Sequence, residues 1–448
     1  MERREAGSVS SPVCDLLLRA SWIVTQDARR RVFEDGCLAI RDGGVLDVGA
    51  WADTAPRYRA AEVRDLGETL VLPGLINVHA HASMTLFRGL ADDLPLMDWL
   101  SRHIWPLEAR LSPELVRLGA LAACAEMLAS GATCFADGYF HEREVLAAAR
   151  TAGMRVILGE GFFGFPSPMF PTARHCWNVV EGLREATRDD PLSRVMLMPH
   201  APYTTTPESL RESMDLAEAL DCPWHIHCAE SPAETASCLE MFGQRPVPYL
   251  DSLGCLRPRA ILAHCVDLSE EEIALLAERG VKVAHCPSSN MKLANGAAPV
   301  QKLLDAGVVV GLGTDGAASN NSLNLFTEMR HAALLQKLLL LDPGALPAQA
   351  VLDMATRQGA ACLDWTGIGS LEPGGRADLL ALDLTAPGLQ PLHSPVSQAV
   401  YAAHGGEVRL VLVEGRAVYE DGRPLGIDLP LLRRELAAAV RWMRDHRA

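Results

Sequence analysis

Residues 71–89 read VLPGLINVHAHASMTLFRG, a run that begins as a buried strand behind Pro73-Gly74 and ends on two histidines, His79 and His81. In a β-strand, positions i and i+2 point to the same face. Both imidazoles can therefore reach one point in space, as metal ligands need to. Taken alone, a His-x-His after a strand is more often a polar loop feature than a metal site. The rest of the chain has to supply the missing ligands.

Outward from this stretch, one unit recurs between residues 73 and 316. A short apolar run ends in polar residues, and a longer helical pattern follows. The runs are LINVHAH, TCFADGYF, MRVILGEGF, VMLMPHAPYT, PWHIHCAES, RAILAHCVD, VKVAHCPSSN and VVVGLGTDG. Between them lie amphipathic stretches such as SPELVRLGALAACAEMLASG and SEEEIALLAERG, each closed by a glycine suited to a helix C-cap. Eight strand-helix units in this order predict an α/β chain whose residues 73–369 form a (β/α)8 TIM barrel, with its active site at the C-terminal ends of the strands. The flanks read differently. Residues 1–72 contain LLLRASWIVT, CLAIRDGGVLDVGA and EVRDLGETLVL, and residues 370–448 resume that style with ADLLALDL and VRLVLVEGRAVYEDG. These are short strands joined by Asp-Gly or Gly-rich turns. They predict a small β-sandwich domain formed from both chain termini, followed by an amphipathic terminal helix.

Composition narrows the function. The formal net charge is −15 and no basic run is present, so the clustered Lys and Arg that a nucleic acid or an anionic membrane surface would require are missing. No segment has the length of an uncharged transmembrane helix, and the N-terminal stretch lacks the apolar core of a signal peptide. The twelve cysteines include no Cys-x-x-Cys pair and read as reduced packing residues. A cytoplasmic enzyme acting on a small molecule is expected.

The strand ends carry the chemistry. The first supplies His79 and His81, the fourth His200, the fifth His225, His227 and Glu230, the sixth His264, the seventh His285 and the eighth Asp315. Packing does not explain so many imidazoles and carboxylates at one mouth. Ligation of a divalent metal does, because these donors suit Zn2+ or Fe2+ with a position left for water. The chain has only four lysines, the first at position 282. None lies on a middle strand to bridge two metals as a carboxylated lysine, so a mononuclear site is expected. His225 reads as a packing or supporting residue, Trp99 and Trp105 as core, and Glu108 as a solvated carboxylate.

Together these residues resemble the amidohydrolase superfamily. The resemblance implies that His79, His81, His227 and Asp315 hold one metal ion, Zn2+ by preference, and that Glu230 and His264 are the catalytic pair of the nucleobase deaminase branch. The stretches HASMTLFRGLADDLPLMDWLSRHIWPLEARL (81–111) and HCPSSNMKLANGAAPV (285–300) are similar to S-adenosylhomocysteine/5′-methylthioadenosine deaminases. That similarity implies hydrolytic deamination of an adenine nucleoside by a homo-oligomer. Glu108 would hold the ribose hydroxyls, His200 would sit beside the nucleoside, and Glu230 would bond and protonate the purine ring. Asp315 would take the water proton and relay it to the leaving amine, while His264 orients the water. Relatives that accept adenosylhomocysteine are expected to grip its carboxylate with arginines between strands three and four. Here that segment offers Arg174 alone, so 5′-methylthioadenosine is the expected substrate, ahead of adenosylhomocysteine and adenosine. Two other readings stay open at this point: an aminohydrolase or chlorohydrolase acting on a free guanine, pterin or triazine ring, and a catalytically silent scaffold on the same fold.

Overall fold

The computed structural model describes residues 12–94, 96–166 and 170–445. All eight apolar runs form strands: Leu75–His81, Ala132–Tyr139, Arg155–Phe162, Ser193–Val195 with Met198–Pro199, Trp224–Cys228, Ala260–His264, Lys282–His285, and Val310–Leu312 with Asp315–Gly316. They pair in parallel as two arcs, one running from the fourth strand back to the first and the other from the fifth to the eighth. The arcs touch at both ends. Leu197 bridges Trp224, and the last two residues of the eighth strand leave the seventh to pair with the first, Asp315 opposite Ala80 and Gly316 opposite His81.

The connecting helices start and stop where their sequences say they should. Ser112 accepts a hydrogen bond from the Leu115 amide ahead of Pro113–Ala129, and Ser269 with Glu272 forms a capping box ahead of Glu270–Arg279. Such caps satisfy amides that the first helical turn leaves unpaired. Gly280 ends the latter helix at φ +66°, a left-handed conformation that glycine adopts without steric cost.

Both termini build one further sheet. Its strand order is Arg423–Pro424, Arg416–Glu420, Val408–Val413, Leu379–Asp383, Thr69–Pro73, Val13–Val24, Val32–Arg41, Gly44–Ala50, with Arg59–Asp65 beside Val13–Val24. The N-terminal and C-terminal segments meet where Leu380 pairs antiparallel with Leu72. Asp42-Gly43 turns the hairpin between Val32–Arg41 and Gly44–Ala50 with positive φ at both residues, the conformation that the right-handed twist of a two-residue hairpin favours. The strands share a core of Leu18, Ile23, Leu38, Ile40, Val71, Leu379 and Leu412. This is one continuous hydrogen-bonded network rather than two separately paired sheets. Arg155, at the start of the third parallel strand, ties it to the arcs through a buried ion pair with Asp378 and a second with the half-buried Glu414.

Candidate metal centre and active site

The polar strand ends converge, on the first strand through a break in its alternation. Ile76 and Val78 sit in the small cluster that also contains Ala136, Ala263 and Ala284. A register irregularity against the second strand then falls between Asn77 and Ala80, and beyond it His79 and His81 turn toward Asp315. His81 Nε2 lies 3.2 Å from Asp315 Oδ1 and His79 Nε2 3.6 Å from it. His227 Nε2 lies 3.2 Å from His81 Nε2. His264 completes a second, overlapping group with His79 and His227, every donor atom within 4.8 Å of the others. Asp315 and His264 both hold positive φ, 59° and 74°, backbone strain of the kind that gathers at functional sites.

Supporting hydrogen bonds fix how these donors face. His81 Nδ1 is 2.6 Å from Gly138 O, and His227 Nδ1 is 2.6 Å from His200 O. A carbonyl only accepts, so both rings carry their proton on Nδ1 and turn the Nε2 lone pair inward. His79 Nε2 is buried without a hydrogen-bond partner, while its Nδ1 meets His225 Nε2 at 3.1 Å. Ser289 and Ser319 hydroxyls donate to Asp315 Oδ2 at 2.6 and 2.8 Å. Two overlapping triads, His79–His81–Asp315 and His79–His227–His264, thus share His79, and imidazole and carboxylate donors so gathered fit a divalent cation such as Zn2+.

Electrostatics favour positive charge at that point. Burial pushes His79 down to about 4 and His227 well below the usual imidazole range. Burial also works against a charged His81, yet its bond to Asp315, with Asp315 and Asp137 charges nearby, holds it up to about 9. Burial pushes Asp315 up, but the two histidines outweigh it and keep the carboxyl well below its ordinary value. Glu230 goes the other way: desolvation raises it, only partly countered by His264 and by Asn295, whose amide donates to Glu230 Oε1 at 2.9 Å.

Above the cluster opens a cavity lined by His81, His227, His264, Asp315, Glu230, His200 and Glu108 together with Trp99, Trp105, Tyr139, Phe163 and Leu293. His200 bonds Thr204 through Nδ1 at 2.8 Å and packs against Phe163 with ring centroids 4.7 Å apart and the planes tilted by 33°.

A model of the amidohydrolase family matches residues 70–418. The chain belongs to the amidohydrolase family. A 5-methylthioadenosine/S-adenosylhomocysteine deaminase of Nitratidesulfovibrio vulgaris (strain DSM 19637 / Miyazaki F) is 54% identical over 432 residues, which cover 96% of this chain and 98% of that protein. An adenosine deaminase from Xanthomonas campestris, crystallised with bound zinc, superposes with a TM-score of 0.94 at 39% identity, covering 97% of this chain and 99% of that one. An atrazine chlorohydrolase from Arthrobacter aurescens TC1 complexed with zinc reaches 0.87 at 27% identity, covering 95% and 100%.

In this amidohydrolase one expected residue stands apart. Arg174 is the second residue of the helix Ala173–Thr187. Its side chain is 81% exposed and lies 3.9 Å from Glu212, and it is not among the residues lining the cavity. The structure does not bring it to the cavity with the other expected residues: nearness in sequence to the third strand does not carry this helix-borne side chain over the strand ends. His285 is fully buried and does not line the cavity either. Glu108, which its own surroundings in sequence left as a surface carboxylate, faces the cavity and accepts a hydrogen bond from the Tyr139 hydroxyl at 2.6 Å. Trp99 and Trp105 line the same space. Tyr139, Asn290, Asn295, Ser289 and Ser319 are supporting residues that the sequence reading passed over. Ser289, Asn290 and Asn295 all lie inside the quoted stretch 285–300, where polar residues packed after a strand end were the available signal.

Proposed function

We propose that this amidohydrolase deaminates an adenine nucleoside hydrolytically, with 5′-methylthioadenosine as its preferred substrate. The observation that carries this reading is the presence of the Glu108 carboxylate in the same cavity as the metal-ligand cluster. A carboxylate there can accept from both hydroxyls of a ribose, whereas free guanine or a triazine has no diol to offer. Near-full-length similarity to a protein named 5-methylthioadenosine/S-adenosylhomocysteine deaminase supports the same reading.

In this reading His79, His81, His227 and Asp315 hold one divalent cation, Zn2+ by preference. The cation supplies Lewis acidity that makes water nucleophilic near neutral pH. His264, anchored through Nδ1 by Asn290 at 2.9 Å, orients the attacking water. Asp315 accepts a proton from that water at its carboxylate and passes it to the leaving amine. Glu230, whose burial favours the protonated carboxyl, delivers a proton to a ring nitrogen and so draws electron density from the carbon under attack. The C–N bond to the amine breaks and ammonia leaves, while the hydroxyl left on the carbon becomes C=O and gives up its proton to restore the Glu230 carboxyl. Glu108 receives the ribose hydroxyls, and the neutral His200 packed against Phe163 flanks the nucleoside. Arg174 has no part in this arrangement.

The two parallel arcs are, on the same reading, halves of one (β/α)8 barrel spanning 73–369. The sheet from residues 1–72 and 370–448 curls into a sandwich beside it, although residues 1–11 lie outside the described ones. A cytoplasmic homo-oligomer completes the proposal. Supporting it, all twelve cysteines are unpaired, and among the described residues no helix is long and apolar enough to cross a membrane. Leu334, Leu338 and Leu341 are exposed at 46%, 69% and 86%, an apolar face of the kind that subunit contacts cover.

The test is ammonia release from a panel: 5′-methylthioadenosine, adenosylhomocysteine and adenosine against guanine, a pterin and a chlorotriazine. Turnover concentrated in the nucleosides supports the reading. Turnover confined to a free heterocycle overturns it.

A further inference from the structure

Tyr139 ends the second parallel strand, and Glu108 ends the short helix Trp105–Glu108. Their side chains meet in the cavity, the Tyr139 hydroxyl donating to Glu108 Oε1 at 2.6 Å. Tyr139 is 5% exposed, and its main-chain amide is fixed by Glu142 Oε1 at 2.8 Å. A phenol has one O–H to donate and an ionised carboxylate only accepts, so this contact commits that proton to Glu108. We propose that Tyr139 is a positioning residue for ribose recognition: its hydroxyl orients the Glu108 carboxyl and keeps it an acceptor for a vicinal diol. The proposal rests on the nucleoside reading above.

The reasoning is one of hydrogen-bond supply. A carboxyl that faces an apolar, aromatic cavity has lost most of its water. Without a donor it takes a proton and rotates freely, and then presents one O–H where two acceptor sites are needed. Burial already pushes Glu108 up to about 7, against the pull of the Tyr139 bond and of His81. Removing the phenol oxygen withdraws the neutral donor that Tyr139 gives Glu108, while the ring that fills the space remains.

The experiment compares full-length, metal-loaded wild type, Tyr139→Phe, Glu108→Gln and the double variant on 5′-methylthioadenosine and on its 2′,3′-dideoxy analogue. Tyr139→Phe is expected to raise KM for the ribonucleoside about tenfold or more, with kcat within about twofold and the dideoxy kinetics unchanged. Glu108→Gln is expected to abolish the preference for the diol, and adding Tyr139→Phe to it should change little further, as for two residues acting through one contact. Equal losses on both substrates, or losses that add in the double variant, would overturn the positioning role. Wild type that turns over the two nucleosides equally well would overturn it by removing Glu108 from diol recognition. Wild type that deaminates neither nucleoside but does deaminate a free base would overturn the nucleoside reading itself, and this proposal with it.

Discussion

The Nε2 atoms of His81 and His227 face each other at 3.2 Å while each ring gives its Nδ1 proton to a main-chain carbonyl. Burial keeps His227 neutral while the Asp315 bond favours a charged His81, so the cluster is built to hold positive charge, whether a proton or a metal cation. Metal removal is therefore predicted to destabilise the protein. With free Zn2+ a thousandfold above its Kd, binding contributes about 4 kcal/mol of stability. Chelation should lower Tm, re-addition should restore it, and metal analysis should find one ion per chain. His79→Ala should fall well below that stoichiometry. A Tm indifferent to chelation, or two bridged ions, would contradict the assignment.

Glu230→Gln separates metal binding from proton delivery. The variant keeps the Asn295 contact region and the four ligands, so metal content should match wild type. Turnover should fall by about 10²–10⁴, the usual contribution of a general acid. Near-normal kcat would remove Glu230 from that role.

Among the described residues, no Arg or Lys lines the cavity. A methylthio group meets Trp, Phe and Leu side chains there, whereas an amino-acid carboxylate meets no fixed cation. A hydrogen bond to a charged group contributes about 1.5–3 kcal/mol. We predict that kcat/KM for 5′-methylthioadenosine exceeds that for adenosylhomocysteine by roughly 10- to 100-fold. Equal or reversed values measured side by side would refute the pocket argument.

Behind His81 lies a buried carboxyl cluster. Asp137 Oδ2 and Glu142 Oε2 are buried with no donor. Burial raises Asp137 to about 6, Glu160 to about 7 and Glu142 well above the carboxyl range, with Asp137 and Glu160 charges adding to the last. Because these folded-state values are raised, the folded chain holds protons that the unfolded chain has released. Stability from this cluster is full below the ordinary carboxyl range and is lost as pH rises through 6 to 7 and beyond. Glu142→Gln supplies a permanent N–H to Asp137 while its oxygen still accepts from Tyr139. Melting curves at saturating Zn2+ should show the variant about 2 °C or more above wild type at pH 9 and close to it at pH 5. A variant less stable at both pH values would refute the shared-proton account.

The strands and the clustered strand-end histidines were legible because their signals are local: apolar runs of strand length, glycine stops after helices, and His-x-His at the end of one strand. Partners that meet across the fold were not. Asn295 reaches Glu230 over 65 positions and Tyr139 reaches Glu108 over 31, and spacing does not encode such contacts. Glu108 entered through resemblance alone, since a carboxylate on a four-residue helix has no sequence mark of facing inward. Arg174 misled because the helix that starts at Ala173 turns it to solvent.

The most direct measurement follows absorbance as metal-replete protein is mixed with 5′-methylthioadenosine. The account predicts conversion of the adenine chromophore to hypoxanthine with one ammonia released per nucleoside, and its loss in Glu230→Gln. Protein with one bound metal ion per chain that leaves the adenine spectrum unchanged would contradict it.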